Sequence, residues 1–158
     1  MISGFSKGFA MTGWRLGFAA APAEILQAML KIHQYAMMCA PTMAQYGAIE
    51  ALRNGDQDVE YMRKSYRRRR NYFVQSLNEI GLSCHMPGGA FYAFPSIRAT
   101  GLTSEQFAEK LLLEEKVAVV PGNVFGASGE GYIRCSYASS LEQLQEAIKR
   151  MKRFLERL

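Results

Sequence analysis

Hydrophobic and polar residues alternate along this chain in two regimes, and the change between them falls near Gly81. Before it, apolar positions recur mostly at helical spacing. Trp14 to Ala20 is apolar or small except for Arg15 and predicts a buried strand. Pro22 then opens a helix with Ile25, Leu26, Met29, Ile32 and His33 on one face. Its apolar content runs on through Met37 and Met38, which points that side at another subunit or domain. A second helix is predicted from Pro41-Thr42 to Leu52, stopped by Asn54-Gly55. A long helix follows from Asp56 to Ile80, with Val59, Met62, Tyr66, Phe73, Leu77 and Ile80 as its stripe. Arg69 interrupts the stripe and fits along it by its aliphatic stem. A helix of that length spans roughly 37 Å, enough to bridge two domains. Gly81 is its stop signal.

Beyond Gly81 short strands and helices alternate. Leu82 to His85 and Phe91 to Phe94 read as strands separated by a Pro-Gly-Gly turn. Thr103 with Gln106 is a capping box for a helix to Glu115. Strands are predicted at Val117 to Val120 and Tyr132 to Tyr137. Ser140 with Gln143 starts the last helix, striped by Leu141, Leu144, Ile148, Met151, Leu155 and Leu158. The expected class is α/β. Residues 1–55 form one region, 56–81 a connecting helix, and 82–158 a small α/β sandwich.

Composition narrows the functional classes. At 158 residues, 49% hydrophobic and 21% charged, the chain can fill an ordinary core. Its net charge of +5 gathers at Arg63-Lys64 and Arg67 to Arg70. No aromatic interleaving or nucleic-acid motif accompanies that cluster, so a solvated helix face is the favoured reading over nucleic acid or membrane. Cys39, Cys84 and Cys135 lack metal-ligand spacing and read as reduced thiols. No apolar run reaches the roughly 20 residues of a spanning helix. The start resembles no signal peptide, so the cytoplasm is expected.

The chemistry concentrates in Ser3 to Gly17, which reads Ser-Gly-Phe-Ser-Lys-Gly-Phe-Ala-Met-Thr-Gly-Trp-Arg-Leu-Gly. An amine at Lys7 flanked by Phe5, Phe9 and Met11 would be partly desolvated, which disfavours the ammonium form. A neutral amine can form a Schiff base with a carbonyl. Arg15, eight positions on, can grip a phosphate bidentately. Aldehyde and phosphate on one small molecule describe pyridoxal 5'-phosphate. Arg134 sits in a strand of small and apolar residues, where it is either a structural ion pair or an anchor for a substrate carboxylate. Phe91 and Tyr92 line a substrate entrance or fill the core. Trp14 reads as core, and His33 and His85 as packed histidines.

These residues resemble the class I/II, fold-type I aminotransferases, whose lysine signature runs Ser-Lys and then Met-Thr-Gly-Trp-Arg-Leu-Gly. Four further stretches resemble that family in order: Gln45 to Leu52, Pro87 to Pro95, Val117 to Gly122 with Phe125-Gly126, and Tyr132 to Ala138. The resemblance implies that Lys7 is the catalytic lysine, joined to pyridoxal phosphate as a covalent Schiff base. It implies phosphate contacts from Arg15 and Ser6, and the α-carboxylate anchor at Arg134. The substrates would be an amino acid and a 2-oxo acid, and the assembly a homodimer. Many relatives carry serine three positions before the lysine, where this chain has Gly4. The family's upstream phosphate turn and ring contacts have no counterpart before residue 7. The chain therefore resembles the C-terminal part of a fold-type I transferase: residues 1–55 a remnant of the large domain, then the connecting helix and the small domain. Alone it is expected to be inactive. The alternatives are a C–S β-lyase of the same fold and a non-catalytic fragment serving folding or association.

Overall fold

In the computed structural model, which describes residues 1–158, the chain forms two compact units, Met1–Arg63 and Lys64–Leu158. The first begins with a two-stranded antiparallel ribbon of β1 (Ile2–Gly4) and β2 (Gly17–Ala19), in register Ile2 with Ala19 and Gly4 with Gly17. Between these strands run a one-turn helix, α1 (Phe5–Gly8), and a 3-10 turn at Thr12–Trp14. The predicted Trp14–Ala20 strand is therefore shorter and not buried. Trp14 belongs to the turn, Arg15 is left-handed at φ +54, and β2 has a partner on one side only. Phe18 is accordingly exposed.

Helices α2 (Ala23–Ala36) and α3 (Thr42–Asn54) follow at the predicted places. α2 buries no residue: Ile25, Met29, Leu30, Ile32 and Tyr35 all face solvent. α3 buries only Ala44 and Ala48, leaving Met43, Tyr46, Ile49 and Leu52 exposed. The core of this unit is small, with Phe5, Met11 and Ala48 at its centre and Phe9, Leu16 and Ala51 around them.

α4 (Asp56–Glu79) gives its first two turns to the first unit and the rest to the second. It ends before Gly81, whose φ of +92 is a conformation that glycine adopts without a Cβ clash. Leu82–His85 forms no strand. The Asn78 side chain takes the place of a ladder there: its amide donates to the carbonyls of Val74 and Cys84, and its oxygen accepts from the Cys84 N–H.

The second unit holds a three-stranded antiparallel sheet in the order β3 (Tyr92–Ala93), β5 (Ile133–Ser136), β4 (Val120–Pro121). Ala93 pairs with Cys135 and Val120 with Arg134. The expected strand from Val117 shrinks to Val120–Pro121 because Lys116 leaves the preceding helix in a left-handed conformation, φ +58. That helix is α5 (Ser104–Glu115), which starts with the predicted capping box: Thr103 Oγ1 accepts from Gln106 N–H, and Gln106 Oε1 from Thr103 N–H. The last helix, α6 (Leu141–Leu155), is capped by Ser140. Phe73, Val74 and Leu77 of α4, Phe107 and Leu111 of α5, and Leu144, Ile148, Met151 and Phe154 of α6 share one core with Ala93, Ile133 and Tyr137. Phe107 meets Phe154 edge-on at 5.3 Å.

Candidate functional site

The loop between β1 and β2 carries the first group of candidates. Beyond the Gly4–Gly17 pair the ribbon is extended by Phe5 N–H donating to Leu16 C=O at 3.2 Å. This closes the loop at its base. One helical turn then sends Phe5 inward, against Phe9 and Phe18, while Lys7 points outward and is exposed. The apolar neighbours expected around the Lys7 amine thus divide differently: Phe5 and Met11 are buried in the small core. Thr12 ties the loop together. Its hydroxyl donates to Ser6 C=O at 2.9 Å, and its own C=O accepts from Arg15 Nη1 at 3.1 Å. Ser6, Lys7 and Arg15 therefore share one short loop with a fixed base. Thr12 was not singled out from sequence, although it lies inside the Met-Thr-Gly-Trp-Arg run that carries the resemblance.

Arg15 holds a left-handed backbone, φ +54 and ψ +47, which costs a non-glycine residue of order 1 kcal/mol. Trp14 is not core but 46% exposed. Its ring lies so close to α3 that a Cβ at Gly47 would come within 2.8 Å of it. A cavity of about 360 Å³ opens between Phe9, Met11, Trp14, Ala51 and Val59, but neither Lys7 nor Arg15 lines it.

Arg134 is placed by β5. It is half-buried, with its guanidinium carbon over the Tyr92 ring at 4.3 Å and over the Phe125 ring at 4.5 Å. None of the chain's ion pairs includes it, so the structural salt bridge weighed from sequence is not formed. Tyr92 is neither core nor free but a partner of the arginine. Phe125 ends a tight turn, Gly122–Phe125, that admits only glycine at its head. A Cβ on Gly122 would run into the carbonyl oxygens of Gly129 and Tyr132. Asn123 in this turn donates to Glu105 of α5 at 3.0 Å, while its buried amide oxygen has no partner. A second cavity, about 420 Å³, lies by Val117–Val119 and α6 and is not lined by Arg134.

Glu115 and Cys135 of the second unit belong to its packing rather than to a site. Glu115, buried at the end of α5, accepts from Arg153 and from Arg157, the latter at 2.5 Å. The Arg153 hydrogen bond holds its carboxyl below the ordinary range; burial opposes this and Arg157 assists. Cys135, next to Arg134 but on the opposite face, has its thiol pushed up to about 12, chiefly by burial, which makes it a poor nucleophile. His33 and His85 are exposed rather than packed. No cluster of His, Cys, Asp or Glu could hold a metal ion, and no helix is long and apolar enough to cross a membrane.

Residues 1–151 match the family Aminotransferase class I and II. The chain belongs to that family. It is 77% identical over 157 residues to the protein YugH of Bacillus subtilis (strain 168), covering 99% of this chain and 41% of that protein. It is 54% identical to an aspartate aminotransferase of Pyrococcus abyssi, covering 98% of this chain and 40% of that enzyme. The crystal structure of an aromatic aminotransferase from Pyrococcus horikoshii OT3 superposes with a TM-score of 0.95 at 53% identity, over 99% of this chain and 42% of that one. The fold is thus that of fold-type I aminotransferases, and this chain spans about two fifths of the length of the relatives it matches.

Proposed function

We propose that this chain supplies the C-terminal part of a pyridoxal-phosphate-dependent aminotransferase, which moves an amino group between an amino acid and a 2-oxo acid. In that reading residues 1–55 belong to the large domain, 56–81 are the connecting helix, and 82–158 are the small domain. The observation that carries it is the loop holding Ser6, Lys7 and Arg15 on one closed base, within a chain matching the family over residues 1–151. That donor set fits the cofactor's chemistry: a primary amine for an aldehyde, and a guanidinium and a hydroxyl for a phosphate. When bound, pyridoxal phosphate supplies an electron sink for the pair released at the substrate's α-carbon.

Lys7 Nζ holds the cofactor and moves the proton at that α-carbon, for which its exposed position on α1 leaves it accessible. Arg15 and Ser6 bind phosphate oxygens. Arg15 keeps one Nη on Thr12 C=O, which orients the rest of the guanidinium. Arg134 binds the substrate's α-carboxylate. The exposed apolar side chains of α2 and α3 support a homodimeric assembly, in the cytoplasm. The chain alone is expected to turn over no amino acid.

The test is titration of the purified chain with pyridoxal phosphate, borohydride reduction and peptide mapping. Lys7 should be the most heavily labelled lysine, with the label lost in Lys7→Ala. Equal labelling of all the lysines would overturn the assignment of Lys7.

A further inference from the structure

We infer that Tyr92 and Phe125 are positioning residues that hold the Arg134 guanidinium edge-on to an incoming carboxylate, an inference that rests on Arg134 being the carboxylate anchor. A guanidinium is a plane with two faces and a rim of N–H donors. Aromatic rings take its faces, and a carboxylate takes two donors on its rim. Here the Arg134 guanidinium carbon lies 4.3 Å from the Tyr92 ring centroid and 4.5 Å from that of Phe125. Centroids this close to the guanidinium carbon are at stacking distance, and rings stacked on the faces leave the rim for an acceptor lying in the plane.

The register explains why Tyr92 is available. It pairs with Ser136 across the sheet, and Ser136 shares a face of β5 with Arg134, two residues before it. Tyr92 is therefore the diagonal cross-strand neighbour of Arg134. Phe125 arrives from the other side of the sheet, at the end of the turn that Gly122 makes possible.

Both rings are themselves braced. Phe91 packs on Tyr92 at 4.5 Å between centroids, and Phe94 meets Phe125 edge-on at 6.0 Å. Phe94 in turn stacks on Tyr132 at 5.6 Å, and Tyr132 carries Arg98 at 5.0 Å. An arginine free to explore its rotamers loses that freedom when it binds a ligand, which weakens affinity. An arginine already held between braced rings has little left to lose.

The experiment follows the Arg134 Nε–Hε resonance of the 158-residue chain by NMR while pyruvate, a small 2-oxo acid, is added. The expected wild-type signal is displaced by ring currents and moves saturably with pyruvate. Phe125→Leu and Tyr92→Leu should each collapse the ring-current displacement and weaken pyruvate binding roughly five- to tenfold. Tyr92→Phe, which keeps the ring, should stay within about twofold of wild type on both readouts. Backbone amide shifts of the α6 core establish that each variant is folded, a condition that a merely structural role for the rings would fail. Folded leucine variants that bind pyruvate as well as wild type would overturn the positioning role. The anchor reading fails separately: if Arg134→Ala binds pyruvate unchanged, or the wild-type Arg134 signal never responds, that assignment falls and takes the inference with it.

Discussion

Replacing Phe107 by alanine should unfold much of the second unit's margin of stability. Phe107 is fully buried in α5 and its ring meets Phe154 of α6 edge-on at 5.3 Å, so the substitution opens a cavity where the two helices touch. Phe→Ala in such a core costs about 3–5 kcal/mol, of which the edge-to-face pair accounts for ~0.5–1.5. That is a large share of the roughly 5–15 kcal/mol that holds a domain folded. With a urea dependence of about 1–2 kcal/mol per molar for a unit of this size, the midpoint should fall by roughly 2–3 M. The readout is far-UV circular dichroism, because the chain's one tryptophan, Trp14, lies in the first unit and would miss the event. Ile32→Ala on α2, at a side chain 73% exposed, is the control and should shift stability by no more than about 0.5 kcal/mol. A midpoint change below about 0.5 M for Phe107→Ala, or an equal loss for Ile32→Ala, would refute the placement of the core. The prediction also reaches the arginine clamp. α5 holds the Phe125 turn through Glu105 and Asn123, so the weakened unit should lose the Arg134 ring-current displacement at lower urea than wild type.

Thiol chemistry gives a second test. Cys39 is exposed while Cys84 and Cys135 are buried, with both buried thiols pushed upward by desolvation. Iodoacetamide should therefore label Cys39 alone in the native chain and all the cysteines in urea, as mass spectrometry would show; rapid native labelling of Cys135 would contradict the sheet packing. Acid stability is the third. The folded state holds the Glu115 carboxyl below its ordinary value of 4.5, so its contribution is complete above that value and is lost as the pH falls through the lower folded one. Urea midpoints taken from neutral pH downward should drop on this acid limb, and Glu115→Gln should be less stable at neutral pH with a flatter limb. An unchanged limb would mean that the arginine contacts do not shift the carboxyl.

Helices were legible in the sequence because their signals are local. Thr103 and Gln106 announce α5 by capping each other, and Gly81 closes α4 with a backbone angle few other residues accept. Strands were less so, since a strand needs a partner that apolar content does not name. Val117–Val119 and Leu82–His85 have strand-like composition, yet Lys116 turns one out of register and Asn78 satisfies the backbone of the other. The candidate site divides the same way. Lys7, Arg15 and Arg134 stood out as charges in apolar or small surroundings. Thr12 and Phe125 did not, and Tyr92 stood out only as an aromatic at an entrance or in the core, because their importance lies in which residue they touch. The contact of Tyr92 with Arg134 needs the register of β3 on β5, and that of Phe125 the path of the Gly122 turn.

The two units spend similar helical patterns on different ends. The apolar stripe of α6 is consumed inside its own unit, where Leu144, Ile148, Met151 and Phe154 are all buried. The apolar side chains of α2 and α3 mostly are not, and Ile32, Tyr35, Met43 and Tyr46 stand more than two-thirds exposed. Large side chains so displayed suit the assembly surface proposed above. The loop bearing Ser6, Lys7 and Arg15 leans on a thin core shared with α3, through Phe5, Met11 and Ala48. Arg134 leans instead on a filled core and a braced aromatic row. The order of the amine site should therefore depend on what covers α3, whereas the arginine clamp should persist as long as the second unit stays folded. That asymmetry is why the guanidinium, rather than the amine, is the group whose geometry this chain specifies by itself.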